Sequence, residues 1–136
     1  MPDVPQRGAR IAHLGIAVRS LAEALPLYTT VLGMSEVPLD DADGARIAGL
    51  RAGDSLVELL EPVADGSPIA KFLEKRGPGI HHVCFAVDDL DAALDRCRAA
   101  GLRLVDETPR VGAEGKRIAF LHPSATGGVL VELTEE

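Results

Sequence analysis

From Arg10 to Val18 (RIAHLGIAV) bulky apolar residues alternate with small or polar ones, and a period of two predicts a strand. Leu14, Ile16 and Val18 fall on one face, and His13, Gly15 and Ala17 on the other. The alternation returns further on, with Val83, Phe85 and Val87 opposed to His82, Cys84 and Ala86. The bulky faces are expected to pack on helices, while the small side chains beside each histidine leave room for something to bind. His81, one step from His82, is expected on the opposite face in a structural role.

Helical spacing follows each of these strands. Ser20 is the expected N-cap of a helix from Leu21 to about Leu32, and Asp89 of one from Leu90 to Ala100. Leu21, Ala24, Leu25 and Tyr28 share one face, as do Leu90, Ala93, Leu94 and Cys97. Pro26 is expected to kink or shorten the first helix, and Gly33 and Gly101 to end the two. Short strands are expected over Met34–Val37, Arg46–Arg51 and Leu56–Leu60, and again over Leu102–Val105, Arg117–Leu121 and Val129–Leu133. The pattern is βαβββ, twice. Residues 1–9 read as a flexible leader, and residues 10–136 as one domain of two repeats, 10–66 and 79–134. Between the repeats, residues 67–78 form a helical linker that opens on Ser67-Pro68, with proline in the first turn, and runs to about Lys75.

The chain repeats itself in letters as well as in pattern. AVRSLAEAL from Ala17 and AVDDLDAAL from Ala86 agree at five of nine places, and the same offset of 69 places His13 on His82. Each repeat also ends on VEL, at Val57–Leu59 and Val131–Leu133. The fold expected is α+β, with two βαβββ modules forming an open, eight-stranded mixed sheet.

Composition narrows the class. Apolar residues make up 46% of 136, enough for a packed core, and no apolar run approaches a membrane span. A net charge of −7 excludes a basic nucleic-acid face, and the first residues carry no secretory signal, so a cytoplasmic protein is expected. Cys84 and Cys97 are then reduced, buried thiols.

Chemistry concentrates on four residues. His13, Glu58, His82 and Glu132 each stand on a strand at one end of a module. Paired about a pseudo-twofold axis, they would converge as two imidazoles and two carboxylates. Such a set suits a divalent ion such as Co, Mn, Zn or Ni, with positions left for substrate.

The doubled module with these histidines and glutamates resembles the vicinal oxygen chelate (glyoxalase) superfamily over residues 10–134. GIHHVCFAVDDLDAAL, DETPRVGAEGKRIAFLHPSATGGVLVEL and VELLEP are similar to the methylmalonyl-CoA epimerase family, with the HPSATGG loop (His122–Gly128) the sharpest marker. The resemblance implies metal ligands at His13, Glu58, His82 and Glu132. It implies epimerisation at C2 of a methylmalonyl-CoA thioester, a step of propionate metabolism. A metal beside the thioester carbonyl would offset charge developing on its oxygen, and Glu132 is the expected base. The family carries a second glutamate two residues before a glycine, where this chain has Ala42. Asp43 is the nearest substitute for that base, with Asp41, Glu58 or a water as alternatives. Ser124, Thr126 and Gly127 of the loop, with Lys116 and Arg117, are expected to hold the anionic parts of the CoA thioester. A homodimer is expected, because a free sheet edge invites pairing.

Two rivals share the fold. Glyoxalase I-like chemistry on a thiol hemithioacetal uses a comparable His/Glu set, but a glyoxalase is expected to carry a shorter, Asp-Pro turn in place of HPSATGG. A metal-free binding protein is expected to line its cleft with aromatics, which make up only 3% here.

Overall fold

The computed structural model describes residues 8–136, so residues 1–7 of the expected leader lie outside it. The elements are β1 (Arg10–Ala17), α1 (Leu21–Pro26), β2 (Glu36–Val37), β3 (Ala45–Ala52), β4 (Ser55–Pro62), α2 (Pro68–Arg76) and β5 (Gly79–Val87). They continue with α3 (Leu90–Ala99), β6 (Arg110–Val111), β7 (Arg117–Leu121) and β8 (Val131–Glu135). All eight strands form one sheet in the order β2-β3-β4-β1-β5-β8-β7-β6. Each module therefore contributes four strands, and the two meet where β1 runs antiparallel to β5. Within each module the first strand pairs in parallel with the last, β1 with β4 and β5 with β8, which makes the sheet mixed as expected.

The caps follow the sequence. Ser20, Ser67 and Asp89 each accept a hydrogen bond from the backbone N–H three residues on, so each helix starts where its short polar side chain allows. Pro26 does not end the first helix. It changes the winding: Leu27–Val31 forms a π-helical stretch, with the Leu32 N–H donating to Leu27 O five residues back at 2.9 Å. Gly33, at φ 72°, then closes the helix in the left-handed region that a side chain disfavours.

The bulky faces pack on helices as the alternation predicts. Ile16 and Val18 meet Leu21, Ala24, Leu25 and Tyr28 over Leu50 and Leu59. Phe85 and Val87 meet Leu90 and Leu94 of α3 over Leu121 and Leu133. Each fully buried leucine contributes about 1.5–3 kcal/mol relative to exposure. The linker helix does something else. Ile69 and Leu73 of α2 pack on Ala17, Ala45 and Leu60, on the small-residue face, and so plug one end of the concave side.

One expected strand is misplaced. Leu102–Val105 forms only an isolated bridge, Leu104 to Leu121, and the edge strand is Arg110–Val111 instead. The Asp106 carboxylate accepts the Phe120 N–H at 2.8 Å from across the sheet edge, taking a donor that a longer ladder would need. Among the described residues no helix is long and apolar enough to cross a membrane.

Candidate active site

The four central strands carry the site in two rows related by the repeat. In one row Glu58 of β4, Gly15 of β1 and His82 of β5 lie side by side. In the other, Glu132 of β8, Cys84 of β5 and His13 of β1 do the same. Each row sets a small residue between its glutamate and its histidine, which lets the long side chains lean inward over it. Gly15 shows how closely: a Cβ there would lie 2.1 Å from His82 Cε1.

Both histidines sit at β-bulges. The β1–β5 register shifts between Ile11 and His13 and again between Gly15 and Ile16, leaving Ala12 and His81 as the extra residues. A bulge interrupts strict alternation and re-aims the side chains beside it. That is why His81, expected on the far face, lines the same cavity as His82, with its Nδ1 2.9 Å from His82 Nδ1. Phe72 meets the His81 ring edge-on, with centroids 5.1 Å apart.

His13, Glu58, His82 and Glu132 are all buried and all face one cavity of about 240 Å³. His13 Nε2 is 3.0 Å from His82 Nε2 and 3.0 Å from Glu132 Oε1, and His82 Nε2 is 3.1 Å from Glu132 Oε1. Three donor atoms about 3.0 Å apart are the spacing of ligands at right angles around an ion with bonds of about 2.1 Å. Glu58 Oε2 lies 3.3 Å from His13 Nδ1 yet makes no hydrogen bond, a buried oxygen left without a donor. An unsatisfied carboxylate oxygen beside two imidazoles and a second carboxylate is the donor set a divalent cation completes. The four predicted ligands are thus brought together.

Their electrostatics are those of a crowded, dry site. Burial works against the charged form of Glu132, but hydrogen bonds from His13 and His82 and their charge outweigh it and hold the carboxyl down to about 2. Glu58 is pushed up to about 8, by burial first and by the neighbouring carboxylates Glu114 and Glu132, against the pull of His13. Burial also opposes the His13 imidazolium, yet its contacts with Cys84, Glu114, Glu132 and Glu58 raise it to about 12. Burial leads the fall of His81 to about 4, with the His82 charge adding to it.

The other predicted residues separate. Lys116 lines the cavity, but Arg117 does not: it pairs with Asp91 at 2.8 Å and Glu135 at 3.0 Å. Ser124, Thr126 and Gly127 are likewise absent from the cavity wall. Their loop bonds to itself, with Ser124 Oγ 2.8 Å from His122 Nδ1 and the Thr126 hydroxyl donating to Pro123 O and Val129 O. Asp43 does reach the rim, through a positive φ of 54° that aspartate tolerates, with Gly44 following at 75°. Its carboxylate, however, is held by Arg110 at 3.0 Å. Asp41 is also engaged, accepting the Ile47 N–H at 3.0 Å.

Glu114 is the residue the sequence did not single out. It stands in the turn between β6 and β7, with Oε2 2.9 Å from His13 Nδ1. Its only sequence-level signal is a lone acid between Gly112 and Gly115 in a hairpin, which marks a turn and not a site.

A curled eight-stranded sheet of two repeated modules, with paired histidines and glutamates on its concave face, defines a vicinal oxygen chelate protein. The chain belongs to the Glyoxalase/Bleomycin resistance protein/Dioxygenase superfamily, whose model matches residues 12–120. Within it the chain belongs to the methylmalonyl-CoA epimerase family. It is 44% identical to the ethylmalonyl-CoA/methylmalonyl-CoA epimerase of Cereibacter sphaeroides, over 93% of this chain and 97% of that one. The structure of methylmalonyl-CoA epimerase from Mycobacterium tuberculosis superposes with a TM-score of 0.88 at 44% identity, covering 92% of this chain and 86% of that one. A methylmalonyl-CoA epimerase in complex with methylmalonyl-CoA and NH4+ superposes at 0.89, with 36% identity and 94% of both chains covered.

Proposed function

We propose that this chain epimerises methylmalonyl-CoA, removing the C2 proton of one epimer and returning one on the opposite face. The observation that carries the reading is the convergence of His13, His82 and Glu132 beside the unsatisfied Glu58 oxygen, on the wall of a cavity the size of a small acyl group. A divalent ion held by His13, Glu58, His82 and Glu132 would supply positive charge where the thioester oxygen gains negative charge.

The protein's own groups divide the remaining work. Glu132, buried on the cavity wall, takes the proton on one face. For the other face the loop acids are poor candidates, because Asp43 is paired with Arg110 and Asp41 caps a backbone N–H. Glu58 is the remaining choice, since it lines the cavity and its Oε2 has no hydrogen bond to give up. Lys116 lines the cavity and offers an ammonium to the substrate carboxylate. Among the described residues β2 and β6 are the outermost strands, and such sheet edges favour a homodimer, with a solution mass twice the 14.3 kDa of the chain.

The test follows each epimer separately in D₂O. Deuterium should enter C2 as the epimers interconvert, the reaction should stop after dialysis against a chelator, and Co²⁺, Mn²⁺, Zn²⁺ or Ni²⁺ should restore it. Asp43→Asn should lose less than about tenfold, well short of the loss expected for a general base. A metal-stripped protein that retains full exchange would overturn the reading, and so would no exchange under any metal.

A further inference from the structure

Each histidine that turns Nε2 into the site has its other nitrogen met by a residue outside the four. His82 Nδ1 is met by His81 Nδ1 at 2.9 Å, and His13 Nδ1 by Glu114 Oε2 at 2.9 Å. The histidines are related by the repeat, but their partners are not: His81 arrives through the bulge in β5, and Glu114 from a hairpin 101 residues beyond His13.

At His13 two carboxylates compete. Glu114 Oε2 is 2.9 Å from Nδ1, Glu58 Oε2 is 3.3 Å from the same atom, and that Glu58 oxygen is buried without a hydrogen bond. With Nε2 given over to an ion the His13 imidazole would keep one N–H, at Nδ1, so a single carboxylate takes it and the other is released. We propose that Glu114 is a positioning residue that accepts the His13 Nδ1–H, which aims the Nε2 lone pair into the metal site and leaves Glu58 free to turn an oxygen toward the ion. The inference rests on His13, Glu58, His82 and Glu132 being the ligand set.

The hairpin is held in reach by contacts across the mouth of the sheet. The Asp40 N–H donates to Ala113 O at 3.0 Å, and Arg110 pairs with Asp43 at 3.0 Å. A residue of the second module thereby supports a ligand of the first. Where a carboxylate holds the far nitrogen of a ligating histidine, its loss costs about 10- to 100-fold in metal affinity.

Co²⁺ affinity of the metal-stripped protein, measured by chelator competition, gives the first arm. Glu114→Ala should weaken binding about 10- to 100-fold, because His13 then captures Glu58 as well as losing its own support. Glu114→Gln should stay close to wild type, since its carbonyl oxygen accepts the same N–H. The second arm needs no substitution: ¹⁵N shifts of the histidine rings in the Zn²⁺-loaded, unmutated protein should show His13 protonated at Nδ1. His82→Ala separates this inference from the reading beneath it. If His82→Ala loses Co²⁺ while Glu114→Ala binds it as tightly as wild type, or if His13 carries its proton only on Nε2, the inference fails alone. If His82→Ala also binds unchanged, the ligand set is wrong and the inference falls with it.

Discussion

Glu132→Gln is expected to slow deuterium uptake at C2 of methylmalonyl-CoA by about 10²- to 10⁴-fold, the usual cost of losing a positioned general base. The substitution keeps the shape of the side chain and removes its charge. In the native site that charge sits 3.0 Å from His13 Nε2 and 3.1 Å from His82 Nε2, with the residue only 5% exposed, so no water can replace it. Two losses are therefore expected together, a weaker metal site and a missing proton acceptor. Metal content distinguishes them. If saturating Co²⁺ restores occupancy but exchange stays slow, the carboxylate acts as the base. If occupancy and rate return in parallel, Glu132 serves as a ligand alone. A variant that exchanges both epimers within about tenfold of wild type would remove Glu132 from the reaction.

Gly15→Ala should disable the site as severely without touching any polar group. The added Cβ would stand 2.1 Å from His82 Cε1, 2.4 Å from Nδ1 and 2.7 Å from Nε2, which no imidazole can accept in place. The ring cannot simply lean aside, because His13, His81 and Phe120 meet it edge-on with centroids 5.1, 5.2 and 5.7 Å away. Either the His82 ring leaves its place in the site or β1 and β5 separate. The first outcome is expected, since the long β1–β5 ladder holds the backbone. Overpacking of this kind costs about 1–3 kcal/mol of stability, which a thermal melt would register as a modest shift. Bound metal and C2 exchange should fall far more than the melting temperature. A Gly15→Ala protein with wild-type metal content and rate would show that the ring has room the structure denies it.

How much of this was legible in advance depends on the range of the interaction concerned. The helix caps and the α1 and α3 faces follow from neighbours three or four residues apart, and Ser20, Asp89, Leu90 and Leu94 stand where their spacing predicts. The edge strand was missed because Leu102–Val105 has strand composition, while the Asp106 side chain that ends its ladder acts across the fold on Phe120. The π-helical winding after Pro26 was likewise visible only as an interruption.

The sequence by itself determined the architecture and brought His13, Glu58, His82 and Glu132 into one candidate set, and the reason is duplication. A residue that recurs at the same place in two copies of a module must occupy two related places in space, so His13 and His82, Glu58 and Glu132 were tied together before any coordinates. Whatever broke the symmetry was left to the tertiary structure. The bulges at Ala12 and His81 shift the β1–β5 pairing by one residue, and strict alternation cannot anticipate a shift that two strands settle between them, so His81 was placed on the wrong face. Glu114 reaches His13 only because the sheet curls until the β6–β7 hairpin touches the loop before β3, where the Asp40 N–H meets Ala113 O. The same closure gives Asp43 to Arg110 and turns a candidate base into half of an ion pair. Local pattern specifies which residues face inward; which of them touch is decided by how far the sheet closes.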